Sequence, residues 1–513
     1  MILEQSIKIK NYKCFGEDEQ GFEKVYPLNI IIGKNNSGKS TLIDLIGFAV
    51  NPSIEFFKLA RNGFFPSVLI SKIITEGDLV KAFKARVMNA EVEKDYKNML
   101  IGKRIEYSLD SDGRKGIVFS EQELLNDFQD YLLPSINKPF EGKTFRRIPP
   151  ERDIKMEGND QTNLTISPEG VGATNIIRQI VLRSNLNTNI IKKELLFALN
   201  SVVNPDINFV DILPQEHDGG IVEIYLEDSE NGLIALSKMG SGIKTILLVL
   251  LNLIVIPKAE SHRESNYVFC FEEIENNLHA ALQRRLFNYI SDYSKKHKTY
   301  FFITTQSSIA IDLFIKDSNA QIIHTIRERG SSISKTLETD LEGRNIIRDL
   351  DVRASDLLLS NGIIWVEGPS DVVYLELFLA LFSTKFNKVQ KLNYCIQSLS
   401  TAIWKYAGFT DFDWSKIDES LDNQIISLAK TNHNNLIVID RDNNYEDKKP
   451  SEYESFTNGT GKNKARLINE LMKFGNHNED MLESNFGDTN AGRLFFWINE
   501  GTIETYLDYF ISN

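Results

Sequence analysis

The segment Leu28–Ile32 with the eight residues after it, Gly33-Lys34-Asn35-Asn36-Ser37-Gly38-Lys39-Ser40, constrains this chain more than any other. The β-branched run LNIII reads as a buried strand, and the octapeptide behind it has the spacing GxxxxGK[ST]. A helix-forming run, Ser40–Val50, comes next and stops at Asn51-Pro52. Strand, glycine turn and helix in this order make a cradle for phosphate. The glycines let the backbone curl so that successive N–H groups face the anion, and the helix N-terminus adds its dipole. Lys39 is expected to reach the β- and γ-phosphates of ATP, and the Ser40 hydroxyl to serve Mg²⁺. Gly33, Asn35, Asn36, Ser37, Gly38 and Thr41 complete the expected nucleotide-binding set.

The rest of the chain alternates in the same style. Ser6–Lys10 sets Ile7 and Ile9 between polar residues, as a strand does. Further β-rich runs are Tyr267–Phe271, Thr299–Thr304, Gly362–Val366 and Leu436–Ile439. Helical runs fall at Asn175–Arg183, Ile191–Val203, Ile243–Ile256, Leu278–Tyr293 and Asp371–Phe382. Strands alternating with helices over the whole length predict α/β architecture with mostly parallel sheets. The chain has 513 residues, and at roughly 150 residues per domain two to four domains are expected. The polar stretch Thr325–Asp349 reads as an inter-domain connection. No internal repeat or low-complexity tract is visible.

Composition narrows the function classes. Hydrophobic residues make 42% and charged residues 25% of the chain, ordinary for a globular protein. Collagen-like, disordered and disulfide-scaffold classes are excluded. Lys and Arg number 58 against 71 Asp and Glu, a net charge of −13. There is no overall basic excess to hold nucleic acid, so such binding needs a local basic patch or a metal-filled acidic site. Cys14, Cys270 and Cys395 are scattered, which predicts reduced thiols and a cytoplasmic setting. The most apolar stretch, Ile246–Pro257, is shorter than the ~20 residues a bilayer needs. The N-terminus shows no uninterrupted apolar core of a signal peptide. No membrane partner is expected.

Two further motifs join the phosphate cradle. Tyr267–Phe271 runs into Glu272-Glu273-Ile274-Glu275-Asn276-Asn277-Leu278-His279. Alone, an acidic strand end usually just faces solvent. Paired with the cradle it has the form of a Walker B strand, with Glu272 in the Mg²⁺ shell and Glu273 polarising the attacking water. Between them, Leu236-Ser237-Lys238-Met239-Gly240-Ser241-Gly242-Ile243-Lys244 opens a very apolar helix. Its Ser/Gly turn reads either as an ordinary N-cap or as a presenter of donors to a γ-phosphate held by another subunit. The order of the three motifs resembles an ABC-type ATPase of the SMC/RecF-like kind. That resemblance implies Ser241 and Gly242 as a signature motif, Asn11-Tyr12-Lys13-Cys14-Phe15 as the segment near the adenine, and Glu275–His279 as the D-loop. In Thr304-Thr305-Gln306-Ser307, Gln306 stands where the family has its switch histidine. It can hydrogen-bond a γ-phosphate but cannot shuttle a proton. Some 195 residues separate Ser40 from Leu236, which predicts an inserted helical or dimerisation region within about 52–235. Its cluster Lys143-Thr144-Phe145-Arg146-Arg147 with Glu151-Arg152 is a candidate phosphate contact or simply a solvated face.

A second acidic site lies further on. Gly362–Val366 leads into Glu367-Gly368-Pro369-Ser370-Asp371, and Leu436–Ile439 ends in Asp440-Arg441-Asp442. Carboxylates at the ends of neighbouring parallel strands converge where α/β sheets bind ligands, and a divalent cation relieves their repulsion. Two such ions about 4 Å apart can drive phosphodiester hydrolysis. The pattern resembles a TOPRIM domain. The resemblance implies Glu367, Asp440 and Asp442 as catalytic metal ligands, Asp371 as a supporting one, and Glu504 in Trp497–Tyr506 as one more acid. Lys462 or Lys464 is the candidate for the lysine that such nucleases place further downstream.

An ABC-type ATPase head over 1–350, with its insertion, followed by a Rossmann-like TOPRIM domain over 351–513, resembles the OLD (overcoming lysogenization defect) nuclease family. The resemblance implies an ATP-controlled, Mg²⁺- or Mn²⁺-dependent DNA endonuclease acting in anti-phage defence as a homodimer or larger homo-oligomer. A defence partner such as a retron reverse transcriptase with its msDNA, or a Gabija-like context, belongs to the same family picture. Two alternatives stay open: a TOPRIM nuclease directed at RNA or tRNA, and a nucleotide-switched scaffold with an inactive TOPRIM domain.

Overall fold

The computed structural model describes residues 2–337 except 62–63, 86–88, 114, 121–125, 159–163, 316 and 329, and beyond them 362–366, 372, 375, 394–398, 435–440 and 493–498. The chain divides into two units, Met1–Asp351 and Val352–Asn513.

In the first unit, strands β1 (Gln5–Lys10), β2 (Gln20–Phe22) and β3 (Leu28–Ile32) precede helix α1 (Lys39–Val50). Strands β4 (Ser67–Ile73), β5 (Arg104–Leu109), β6 (Lys115–Ser120), β7 (Thr144–Ile148) and β8 (Glu157–Gly158) lead to helix α2 (Ala173–Leu182). Then come β9 (Phe209–His217), β10 (Ile221–Asp228), β11 (Gly232–Ala235) and helix α3 (Ser241–Ala259). Strand β12 (Tyr267–Glu272), helix α4 (Ala280–His297), β13 (Tyr300–Thr305), β14 (Ala320–Glu328) and β15 (Ser331–Thr336) complete it.

Six strands form the central sheet, ordered β15-β14-β3-β13-β12-β7. All are parallel except β15, the antiparallel hairpin partner of β14. Alternate side chains divide between two cores. Leu28, Ile30, Phe269, Phe271, Phe301 and Ile303 pack with α2, α3 and α4, while Ile31, Val268, Cys270, Tyr300 and Phe302 pack with α1 and the N-terminal strands. With both faces covered, the inner strands β3, β13 and β12 are mostly apolar, which is why they read as hydrophobic runs. Cys14 and Cys270 are free thiols, and Cys270 is fully buried.

Several sequence expectations are corrected here. Within the first unit, parallel pairing dominates only in the central sheet. β2-β1-β4-β5-β6 is an antiparallel sheet, and β11-β10-β8 with β9 is another. Tight connections at 218–220 and 229–231 make hairpins there. Strands from the stretch 52–235 join all three sheets of the first unit, with helices between them: β4 to β6 extend the N-terminal sheet, β7 forms an edge of the central one, and β8 to β11 make the third. Phe145 of β7 lies over α1 at Gly47, where any Cβ would come within 3.1 Å of its ring. The polar stretch from Thr325 begins as the hairpin β14–β15 rather than as a linker. Its serines are used: the Ser332 backbone N–H donates to the Cys14 carbonyl, and Gly21 N donates to the Ser334 hydroxyl. Residues 338–349 lie outside the described residues.

Helix α3 is also longer than its apolar run suggested. It continues through a π turn at Leu251–Val255 and reaches 19 residues, enough by length and composition to span a bilayer, but it is largely buried in the core. In the second unit, the described strands β16 (Gly362–Val366), β17 (Tyr394–Ser398), β18 (Asn435–Asp440) and β19 (Arg493–Ile498) form a wholly parallel sheet, ordered β17-β16-β18-β19.

Phe301 is fully buried at the centre of the first unit and stacks on Phe269 with ring centroids 5.1 Å apart. Phe301→Ala should destabilise this unit by about 3–5 kcal/mol. Chemical denaturation followed by far-UV circular dichroism would read the loss, and a shift below about 1 kcal/mol would show that the core refills the cavity.

Candidate nucleotide-binding site

Strand register assembles the site. Ile32 of β3 pairs with Thr305 of β13, and Glu272 of β12 pairs with Thr304. The next residues, Gly33, Gln306 and Glu273, therefore emerge together at the carboxyl edge of the sheet, where α/β folds bind ligands. Gly38 caps α1 with φ of 110°, a conformation that favours glycine. Gly33 is required by space, since a Cβ there would sit 2.3 Å from the Thr325 carbonyl oxygen. Ser37 and Thr325 share a hydroxyl–hydroxyl hydrogen bond of 2.7 Å, so β14 buttresses the loop from behind.

A cavity of about 580 Å³ opens above the loop, the size of a small-molecule site. Of the expected set it is lined by Asn35, Asn36, Gly38, Lys39, Ser40, Thr41 and Glu273, and Lys13, Cys14 and Arg327 join them. Gly33 and Ser37 lie buried beneath. Lys39 is 6% exposed and donates to the carbonyls of Gly33 (2.9 Å) and Lys34 (3.2 Å), with its Nζ 3.8 Å from Glu273 Oε1. Burial lowers the Lys39 pKa, and Glu273, Glu275 and Glu272 act against that. A triphosphate would take over the role these carbonyls and carboxylates now play.

Glu273 adopts a left-handed backbone with φ of 46°. Its N–H donates to the Thr304 carbonyl at 2.9 Å. Gln306 Nε2 bridges Glu273 Oε1 (3.1 Å) and Asn35 Oδ1 (2.7 Å), so the residue in the switch position links the phosphate loop to the expected base. Glu275 lies below, its Oε1 accepting from the Thr305 hydroxyl (2.5 Å) and the Gln306 N–H (3.0 Å). Burial raises the Glu275 pKa, and those hydrogen bonds act against it.

Glu272 is 1% exposed. Its Oε1 accepts from Arg147 Nε (2.7 Å) and lies 2.6 Å from Arg147 Nη2. Arg147 Nη1 donates to Asp44 Oδ1 at 2.9 Å, and Lys13 donates to Asp44 Oδ2 at 2.6 Å. Alternating charges thus run from the cavity wall to the buried acid, the arrangement that makes a buried carboxylate tolerable. Mg²⁺ keeps several waters and is held by one or two protein oxygens plus phosphate. The exposed Ser40 hydroxyl lines the cavity and fits that demand, whereas Glu272 is not among the cavity-lining residues and has one oxygen engaged by Arg147. Among the described residues no group of three or more His, Cys, Asp or Glu gathers to hold a metal.

Ser241 and Gly242 are not among the cavity-lining residues. Ser241 is exposed at the start of α3, whose first turn has no side-chain cap, and Gly242 packs against the Asn277 carbonyl. The cationic cluster of β7 is corrected: it is not an outward patch. Consecutive residues of a strand face opposite ways, so Arg147 goes to Glu272 and Asp44 while Arg146 bonds Asn252 Oδ1 (2.7 Å) at the π turn of α3. Arg152 turns to the carbonyls at the end of β12 and just past it. Sequence reasoning missed Asp44 and Arg327, and left Arg147 and Arg152 between a phosphate contact and a solvated face. The signal for Arg147 was a charge placed inside a strand-like run. Of the second acidic set, Asp440 is the last residue of β18, while Glu367, Asp371, Asp442, Glu504, Lys462 and Lys464 lie outside the described residues.

Lys39→Ala should weaken ATP binding by about 10- to 100-fold, the worth of a charged hydrogen-bond donor. Titration calorimetry would measure it, and an unchanged affinity would remove this loop from nucleotide binding. Folded Glu275 holds its proton more tightly than the unfolded chain, so its contribution to stability is full below the ordinary value of 4.5 and fades as pH rises through the folded pKa. The melting midpoint should therefore fall less between pH 5 and pH 8 in Glu275→Gln than in the wild type, and equal falls would contradict a raised pKa.

No curated protein matches the sequence. Among solved structures, the SMC head domain from Thermotoga maritima is similar at 15% identity, with 66% of this chain and 100% of that chain covered and a TM-score of 0.33. The SMC head domain with a coiled coil and joint from Pyrococcus yayanosii is similar at 11% identity, covering 68% of this chain and 100% of that one, with a TM-score of 0.38. The family model described as AAA ATPase domain matches residues 1–112 and 91–311, well over half of the chain. With its phosphate loop, acidic strand end and connecting glutamine on one edge of a parallel sheet, the chain belongs to the AAA ATPase domain family.

Proposed function

We propose that this protein is an ATP-controlled, divalent-metal-dependent DNA endonuclease of the OLD type, built from an ABC-type ATPase head and a TOPRIM domain over 351–513. The observation that carries the ATP half is the convergence of Lys39 and Glu273 on one cavity, with Gln306 hydrogen-bonded to Glu273 and Asn35 of its lining. Glu273 is set to polarise a water for in-line attack on the γ-phosphorus, and Lys39 to hold the charge that develops on the phosphates. Mg²⁺, when bound, would neutralise part of that charge from the side of Ser40 and Glu272. Gln306 connects the base to Asn35 without carrying a proton, which favours gating by nucleotide binding over rapid turnover. The uncapped start of α3, exposed at Ser241 with Gly242 buried behind it, suits donation to a nucleotide on a second copy, hence a homodimer or larger assembly.

The nuclease half rests on β16 and β18. They are parallel neighbours, with Val366 opposite Val438. Glu367 directly follows Val366 in sequence and Asp440 closes β18. Acids at adjacent strand ends support a divalent-metal site for phosphodiester hydrolysis, with Asp442, Asp371 and Glu504 as further ligands. The place in anti-phage defence with a retron-type partner is inferred from the family resemblance alone, and the cytoplasmic setting from the scattered cysteines.

A DNA cleavage assay with Mg²⁺ or Mn²⁺ tests this. Wild type should cut, Asp440→Ala and Glu367→Ala should lose at least about 100-fold of the rate, and both variants should bind ATP like the wild type. Cleavage of RNA in place of DNA would turn the reading to an RNA-directed nuclease. Full DNA cleavage by Asp440→Ala would remove the TOPRIM site from the chemistry, and absence of any cleavage with ATP binding intact would leave a nucleotide-switched scaffold. Light scattering at micromolar concentration with ATP should give a dimer or larger, and a monomer would exclude nucleotide sites shared between copies.

A further inference from the structure

Arg152 comes from the short loop after β7, remote in sequence from every nucleotide motif. Its guanidinium is partly buried and stands over the end of β12. Nη1 donates to the carbonyls of Pro149 and Glu272, each at 2.7 Å, and Nη2 donates to the Glu273 carbonyl at 2.7 Å. Among the described residues no carboxylate forms an ion pair with it, so its hydrogen bonds go to main-chain oxygens. Two of those oxygens flank a point where the main chain is forced. Glu273 has φ of 46°, which is costly for a residue with a side chain. The strand ladder holds its N–H, through the Thr304 carbonyl. Arg152 holds its carbonyl, together with the Asn276 N–H at 3.1 Å. With the peptide fixed on both sides, the Glu273 carboxylate is delivered to Lys39 and Gln306.

The geometry points to Arg152 as the positioning residue for Glu273: a guanidinium clamp on consecutive carbonyls keeps the expected base in its left-handed turn and aimed at the nucleotide cavity. Arginine suits the task because its planar fork serves three acceptors with one rigid group, and a lysine point charge cannot reproduce that pattern. Among the described residues, the buried Nε of Arg152 and Oε2 of Glu275 have no hydrogen-bond partner. The clamp therefore works through main-chain carbonyls, with no carboxylate on its own guanidinium. Arg152 makes no contact with the cavity itself, whose lining does not include it. Its loss should therefore spare binding and damage turnover.

This inference rests on Glu273 acting in ATP hydrolysis, and the experiment separates the two. ATP affinity, the kcat and KM of hydrolysis and the melting midpoint are measured for the wild type, Arg152→Lys, Glu273→Gln and the double variant. Arg152→Lys should bind ATP with wild-type affinity while kcat falls at least about tenfold, a fraction of what a well-placed base supplies. Added to Glu273→Gln, it should bring no further loss, because both act through one carboxylate. Wild-type kcat in Arg152→Lys, or losses that multiply in the double variant, would overturn the clamp while leaving Glu273 in its role. Unchanged turnover in Glu273→Gln would overturn both. A parallel drop in affinity, kcat and midpoint for Arg152→Lys would show a general packing role and overturn the clamp as well.

Discussion

Burial of both faces of the central sheet governs the rest of the first unit. A sheet covered on each side by helices and further strands admits polar side chains along its length only where partners satisfy them, as Gln321 and the Phe301 carbonyl do for Asn29, so chemistry gathers at its carboxyl edge. There the main chain itself becomes a resource. Carbonyls and N–H groups that would extend the ladder are instead taken up by Lys39, Arg152 and the backward-curling phosphate loop. Charged groups that must sit near this edge survive only in partnership. The series Lys13, Asp44, Arg147 and Glu272 shows how a carboxylate with almost no solvent contact is accommodated: each charge has an opposite one at hydrogen-bond distance, and the series ends at the cavity, where water is available.

The same constraint decides how much of the fold was legible in the sequence. Parallel, doubly buried strands announce themselves as short β-branched runs, and Leu28–Ile32 and Tyr267–Glu272 stand where those runs lie. The phosphate loop was legible because its glycines answer local demands, a positive φ at Gly38 and a lack of space at Gly33. The antiparallel sheets were not legible, since their strands are set by pairing with residues far away in the chain. The hairpin β14–β15 was hidden by its polarity. Edge strands tolerate serine and charge, and here those serines are spent on hydrogen bonds to the first strands and their loops.

The arginines of β7 were misjudged for a more instructive reason. Charge runs are usually solvated, and a run such as Lys143–Arg147 carries nothing in itself to say otherwise. Its meaning comes from a period of two, which separates Arg146 from Arg147 as soon as the segment becomes a strand. One is then drawn to an amide in the π turn of α3 and the other to the acid of β12. The π turn and the edge strand explain each other: Asn252 is where α3 opens its ladder, and Arg146 occupies its side-chain oxygen.

Among the described strands, β7 has a neighbour on one side only, so its ladder there does little to prevent it from sliding by one residue. Such a slip would exchange the two arginines without changing the charge on either face, and electrostatics alone would hardly notice. Shape notices. Phe145 shares its face with Arg147, and its ring occupies the one position on α1 that has no side chain, Gly47. One step along, Thr144 or Arg146 would stand over that hollow, leaving it unfilled or obstructed. A missing methyl group on the helix that begins at the phosphate loop therefore indexes the edge strand, and with it which arginine meets Glu272.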